Sequence, residues 1–270
     1  YELDNDGELI PKLASKMPVI SKDKLKISIS LKKNILFHDG TPFDSKAMKF
    51  TIERFQRIGT NNYILDKKIK SIETPNKNTL IINLNKPTSS LEGLLTSVNL
   101  TAISPSFYKN HIDKFLNNNF VGTGQYVLKS FSNEVQILDP NLNYWDLKPK
   151  NHGINFVGYS NSSSLYGALK SKQIDVLLSN SIDDSQRKDL NSLSKKKQFK
   201  EGISNPTEVS FITLRTNIEP LNKKKIRLAI SKTINREEIS KNVSYGLRNP
   251  SKSIVPQIFK GDNLVSWPKY

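Results

Sequence analysis

Apolar and polar residues alternate strictly between Lys24 and Lys32. Leu25, Ile27, Ile29 and Leu31 fall on one side, and Lys24, Lys26, Ser28, Ser30 and Lys32 on the other. This period of two predicts a β-strand with one buried face. A short apolar run, Ile35-Leu36-Phe37, follows and breaks at His38-Asp39-Gly40. Asp39-Gly40 and Pro42 are turn residues, since glycine tolerates positive φ and proline fixes φ at about −65°. The period then changes. Met48, Ile52 and Phe55 recur at i, i+4 and i+7, with Lys49, Glu53 and Arg57 on the other side. That is one apolar face of a helix, for which Asp44 or Ser45 supplies the N-terminal cap.

The same reading continues along the chain. Residues 69–74 and 79–84 predict two strands around a hairpin turn at 75–78, and residues 91–98 predict a helix. Val127-Leu128 and Val135-Gln136-Ile137-Leu138 read as strands. Residues 153–159 read as a strand, Ser162-Ser163-Ser164 cap a helix carrying Leu165, Ala168 and Leu169, and residues 174–178 form a second apolar strand. Such a βαβ unit is parallel and right-handed. Asp183-Asp184 suit the first turn of another helix. Residues 208–214 alternate as a strand, residues 224–230 are helical, and Asn235 with Glu238 makes a capping-box start for a further helix.

Composition narrows the classes. The chain has 270 residues, 36% of them hydrophobic, so there is room for about two domains and a real core. The mean hydropathy is −0.49, and no run approaches the roughly 20 apolar residues of a membrane span. With no cysteine there is no disulfide framework and no thiolate zinc site. The formal charge of +16 raises nucleic-acid binding as the alternative function. Against it, the basic residues are mostly scattered lysines. The tightest clusters, Lys195-Lys196-Lys197 and Lys223-Lys224-Lys225, have no aromatic platform between them.

No catalytic constellation is legible. His38, His111 and His152 form no H-x-x-x-H pair, and there is no G-x-S-x-G elbow. His38 reads as a turn histidine bonding nearby backbone. Gly122-Thr123-Gly124 lacks the Gly-Lys-Ser/Thr of a P-loop, and reads as a backbone crossing where side chains would clash. Tyr144 and Trp145 read as packing anchors. No enzyme, metal site or cofactor is expected.

Several segments together resemble the family 5 extracellular solute-binding proteins, the peptide- and nickel-binding components of ABC importers. They are Phe37-His38-Asp39-Gly40-Thr41-Pro42 with Glu53-Arg54, Ile103-Ser104-Pro105 with Tyr108, Val121-Gly122-Thr123-Gly124, Asn143-Tyr144-Trp145, Ile174-Asp175-Val176, and the run from Pro220-Leu221 to Ile239. Gln125 stands where that family usually has proline, Lys172-Gln173 where it has Gly-Glu, and Arg215 where it has asparagine.

The resemblance implies a mixed α/β, type II periplasmic-binding-protein-like fold of two lobes with an inserted α+β subdomain. On that pattern residues 1–120 are the inserted subdomain, 121–205 the main part of lobe one, and 206–270 the hinge region and a truncated start of lobe two, so the chain reads as a fragment. The polar stretch 117–119 marks the first junction. The resemblance also implies a peptide or small-molecule ligand, permease subunits as partners, no nucleic acid, a monomer, and a periplasmic or extracytoplasmic location. The chain begins at Tyr1 rather than Met, so its start leaves open a membrane anchor in a preceding segment.

Ligands of open α/β sheets sit beyond the carboxyl ends of strands. After the predicted strand 174–178 come Leu178, Ser179, Asn180 and Ser181, which in the peptide-binding members match ligand-contacting positions. Tyr63 is a further candidate from the inserted subdomain. The same four residues also suit an ordinary polar loop.

Overall fold

The computed structural model describes residues 1–256 apart from 66, 89–90, 112–117, 205–207, 252 and 255. Contacts group the chain into two compact units. One comprises Tyr1–Asp4 and Glu8–Gly158, the other Asn5–Gly7 and the chain from Tyr159 onward.

In the first unit, β1 (Glu2–Leu3) and β2 (Leu9–Ile10) pair as a small antiparallel ribbon. A four-stranded antiparallel sheet then carries the core. It contains β3 (Val19–Ile20), β4 (Lys26–Ser30), β5 (Ile69–Asn76) and β6 (Thr79–Leu84), in the order β3-β4-β6-β5. The alternation predicted around residue 28 becomes β4. Its buried Ile27 and Ile29 lie opposite Ile82 and Leu80 of β6, which are buried too. Burying an isoleucine or leucine side chain contributes about 1.5–3 kcal/mol, so this ladder of matched apolar residues is the main stabilising feature of the sheet.

Helix α1 (Ser45–Ile58) packs on β5 and β6. Its N-cap is Asp44, whose carboxylate accepts from the Ala47 amide at 2.9 Å. Ser45 is fully buried. Its hydroxyl donates to the Asn76 carbonyl at 2.6 Å and its amide to the Lys77 carbonyl at 2.8 Å, so the helix start is fixed to the β5–β6 turn. Ile52 and Phe55 are buried as the helical period predicts, and Met48 packs against the same core partly exposed.

Ile35-Leu36-Phe37 makes only a bridge, from Leu36 to Pro42, because Gly40 at φ +79° turns the chain straight back. Two local readings change. The hairpin turn is tighter than expected: β5 runs to Asn76 and only Lys77 and Asn78 lie between the strands. The helix expected over 91–98 shortens to α2 (Leu91–Leu94), followed by a 3-10 turn at Val98–Leu100. Helix α3 (Pro105–Asn110) follows, capped by Ser104, whose side chain accepts from the Phe107 amide.

The second sheet of this unit is antiparallel, with β7 (Tyr126–Phe131), β8 (Val135–Pro140) and β9 (Ile154–Val157) in that order. Gly153 brings the chain into β9 at φ +140°, where an added Cβ would lie 2.6 Å from the Leu138 carbonyl oxygen. The unit does not end in the polar stretch near residue 118. Asn117 lies outside the described residues, and the change of unit falls after Gly158. The cause is packing: Val121 and Trp145 lie against the core that spans Ala14 to Ala102.

The second unit is mostly helical. Helix α4 (Ser162–Lys170) is capped by Asn161, which accepts from the Ser164 amide at 2.8 Å, so the three serines form its first turn and not its cap. Helix α5 (Asp184–Lys195) starts after Asp183, whose amide donates to the Gln186 side chain at 3.0 Å. Helices α6 (Lys224–Thr233) and α7 (Arg236–Asn242) lie where the sequence predicts, with Asn235 accepting from the Glu238 amide at 3.1 Å.

The βαβ unit is not formed. β9 pairs antiparallel with β8, and residues 174–178 form no strand and bend at Asp175. An apolar run becomes a strand only where a neighbour takes up its N–H and C=O groups. Here Val176 and Leu178 are 78% and 71% exposed. Residues 208–214 fail as a strand for the same reason, with Phe211 and Ile212 exposed.

Candidate functional site

The segment expected to meet a ligand begins at the end of α4. Ala168 and Leu169 are buried, and the Gln173 amide donates to the Ala168 carbonyl at 2.9 Å, which turns the chain off the helix. Residues 174–178, bent at Asp175, lead into a single 3-10 turn, Ser179–Ser181, closed by the Ser181 amide on the Leu178 carbonyl at 3.0 Å. Ile182 then buries its side chain. The Ser162 hydroxyl donates to Asp183 at 3.0 Å, so the first turn of α4 holds the entry to α5 beside the 3-10 turn.

Leu178, Ser179, Asn180 and Ser181 are therefore contiguous, exposed, and anchored on both sides. The Asn180 side-chain oxygen accepts a long 3.4 Å bond from the Ser181 hydroxyl. Its amide NH2 and the Ser179 hydroxyl have no hydrogen-bond partner among the described residues. This turn offers neighbouring donors and acceptors next to an exposed leucine, a combination suited to the main chain and one apolar side chain of an extended ligand. Tyr63 lies in the other compact unit, in the 3-10 turn Asn62–Ile64, and is 70% exposed.

A second feature was not singled out from sequence. Within the first unit a hollow of about 270 Å³ is lined by Tyr1, Lys12, Met48, Leu95, Tyr144 and Trp145 among others. Tyr144 is buried, and the Trp145 indole N–H donates to the Thr123 carbonyl at 3.0 Å. The Lys32 ammonium lies 4.6 Å from the centroid of the Trp145 ring. Lys12 is 3.3 Å from Asp146 and 3.5 Å from Glu2. Burial pulls Lys12 down, but the Asp146 hydrogen bond and the nearby negative groups outweigh it and hold the lysine above its usual value. The face of the indole ring attracts the Lys32 ammonium electrostatically. The signal in the sequence was Tyr144-Trp145, read as packing alone.

The His38-Asp39 turn is structural. His38 bonds distant backbone instead of the nearby backbone expected. Its amide donates to the Gly122 carbonyl at 2.9 Å, and its Nε2 lies 2.9 Å from the Gly124 carbonyl, which fixes the proton on Nε2 because a carbonyl only accepts. Nδ1 is buried without a partner. The glycines of this loop are not needed for clearance either, since a Cβ at Gly122 or Gly124 would meet nothing nearer than 3.5 Å. The loop's role is to present carbonyls: Asn141 also donates to Gly124, at 3.0 Å.

Asp39 does not orient His38. One oxygen accepts from the Thr41 amide at 3.0 Å and hydroxyl at 2.6 Å, and the other from the Ser104 hydroxyl at 2.5 Å. Partial burial pushes the Asp39 carboxyl up, but the bonds from Ser104 and Thr41 outweigh it and hold it below the usual carboxylate range. A carboxylate lowered on folding adds stability above its unfolded value, about 3.9, and loses it as pH falls toward the lower folded value. Acid melts of the parent and Asp39→Asn are therefore expected to converge below pH of about 4, with the parent more stable at neutral pH. Equal separation of the two melts at every pH would contradict this role.

Among the described residues, no group of three or more His, Cys, Asp or Glu side chains is placed to hold a metal ion. No described helix is long and apolar enough to cross a membrane.

Comparison with known proteins decides the family. The model for bacterial extracellular solute-binding proteins, family 5, matches residues 8–270. The chain belongs to that family. A probable D,D-dipeptide-binding periplasmic protein, DdpA, of Escherichia coli is 27% identical over 88% of this chain and 46% of its own length. The nickel-binding periplasmic protein of the same organism is 26% identical over 92% and 48%. Among solved structures, NikZ from Campylobacter jejuni in complex with Ni(L-His) is 26% identical, with a TM-score of 0.76 over 94% of this chain and 50% of that one. NikA from Brucella suis in complex with Fe(III)-EDTA has a TM-score of 0.82 at 22% identity, over 95% and 52%, and speaks for the fold. The chain thus spans about half the length of the curated family members it matches. These likenesses agree with the type II, mixed α/β architecture that the sequence implies.

Proposed function

We propose that this chain is part of the capture component of an ABC importer, working outside the cytoplasmic membrane. The whole protein binds a peptide or a small nickel-type complex and hands it to permease subunits in the membrane. It acts as a monomer and catalyses no reaction. The observation that carries this reading is the family match over residues 8–270. The ligands named for its relatives, a D,D-dipeptide, nickel and glutathione, set the chemical range.

In this reading the turn Leu178, Ser179, Asn180 and Ser181 contacts the ligand through main-chain-like hydrogen bonds, and Tyr63, in the other compact unit, is a separate candidate for an aromatic contact. The irregular segment after α5 leads into the second lobe, whose closure buries the ligand.

The test is thermal unfolding of the whole protein against short L-peptides, a D,D-dipeptide, glutathione and nickel–histidine. A ligand at a hundred times its Kd adds about 2.7 kcal/mol to the folded state. One class of this panel is expected to raise the melting temperature while the others leave it unchanged. No shift from any class, together with DNA binding that falls steeply with salt, would favour a nucleic-acid partner instead.

A further inference from the structure

In the second unit, α4 and α5 are joined to α6 and α7 by residues 196–223, whose described members form no helix or strand. Apolar packing does little to fix the two helix pairs: none of α5, α6 and α7 has a fully buried residue. A set of polar contacts spans them instead. Arg248, in the turn after α7, places its guanidinium on Asp184, the first residue of α5. Nε donates to Oδ2 at 3.0 Å and Nη2 to Oδ1 at 3.1 Å, the two-pronged geometry that fixes orientation as well as distance. The buried Ser244 hydroxyl also bonds Asp184.

One turn along α5, the Lys188 ammonium lies 4.5 Å from the centroid of the Tyr245 ring. Tyr245 and Gly246 are both left-handed, at φ +52° and +74°. A tyrosine held there is strained, and the surroundings must impose it. The imposing bonds are at hand: the Gly246 amide donates to the Ser240 carbonyl at 2.9 Å, and the Ser240 hydroxyl to the Arg248 carbonyl. Arg187 and Glu208 add their charges to the pair, the first acting on Asp184 and the second on Arg248.

We propose that Asp184–Arg248, with Lys188–Tyr245 beside it, is a clasp that sets the angle between the two helix pairs. On the lobe reading above, on which this inference rests, the clasp ties lobe one to the start of lobe two and makes lobe opening sensitive to ionic strength. The side chain of Asp184 is 16% exposed and that of Arg248 57%, so the pair is sheltered on one side and open to competing ions on the other.

The test uses the whole protein without ligand, carrying spin labels on cysteines introduced at Lys195 and Lys241, which are exposed on α5 and α7. At low salt the parent is expected to give one narrow distance distribution. Arg248→Ala shifts it to longer distances and broadens it. Arg248→Lys, which keeps the charge and loses the fork, falls between the two. Lys188→Ala broadens it without the full shift. Raising NaCl to about 1 M moves the unsubstituted pair the same way, and that arm needs no variant to fold. Unchanged distributions in Arg248→Ala and at high salt would overturn the clasp. The distances need no ligand and the unfolding panel needs no clasp, so failure of one reading is distinguishable from failure of the other.

Discussion

Asn180→Ala in the whole protein is expected to weaken ligand binding by roughly five- to over a hundredfold while leaving the melting temperature unchanged. Asn180 is exposed, makes one long bond to its neighbour, and has a free amide NH2 among the described residues, so folding does not depend on it. A ligand group that it meets in the closed protein would be stranded without water or partner once the amide is gone. That loss costs roughly 1–3 kcal/mol. Lys196→Ala, at the exposed end of α5, is the control and changes affinity little. Titration calorimetry with the ligand that co-purifies measures both. Equal affinities for Asn180→Ala and the parent would remove this turn from the site.

Ile82→Ala is expected to cost about 2–5 kcal/mol of stability, the range for deleting a buried branched side chain where the surroundings close only partly. Ile82 has no exposed surface and lies between Ile27 of β4 and Ile72 of β5, both buried. It is the centre of the sheet on which α1 packs. For a chain of this size each kcal/mol lowers the melting temperature by about 2–4 °C. Val176→Ala, at a 78% exposed position, is expected to stay within about 0.5 kcal/mol of the parent. A small loss for Ile82→Ala would mean that this sheet is not the stabilising core.

What was legible in the sequence is what local chemistry decides. The alternation around Ile27 and Ile29, the Asp44 cap, the hairpin of β5 and β6 and the Asn235 cap all depend on residues within a few positions of one another, and each forms, the hairpin with a tighter turn than expected. The missed features depend on distant partners. Residues 174–178 and 208–214 have strand-like patterns, but a pattern of side chains does not supply the neighbour that a ladder needs. His38 reads locally as a self-contained turn, yet its ring bonds Gly124, 86 positions away. The fork between Asp184 and Arg248 joins residues 64 apart, and Asp184 in its own surroundings reads only as a first-turn acid of a helix. Of the candidate site, Leu178, Ser179, Asn180 and Ser181 are named by family resemblance, while the hollow beside Trp145 is not legible because its lining comes from many segments.

The most direct measurement of the central claim is native mass spectrometry of the whole protein, purified from the cells that make it without unfolding. The account predicts a folded monomer carrying one added mass of a short peptide or a small metal complex, lost from the Asn180→Ala protein. A protein that carries no small molecule, and that instead retains nucleic acid released by salt, would contradict it.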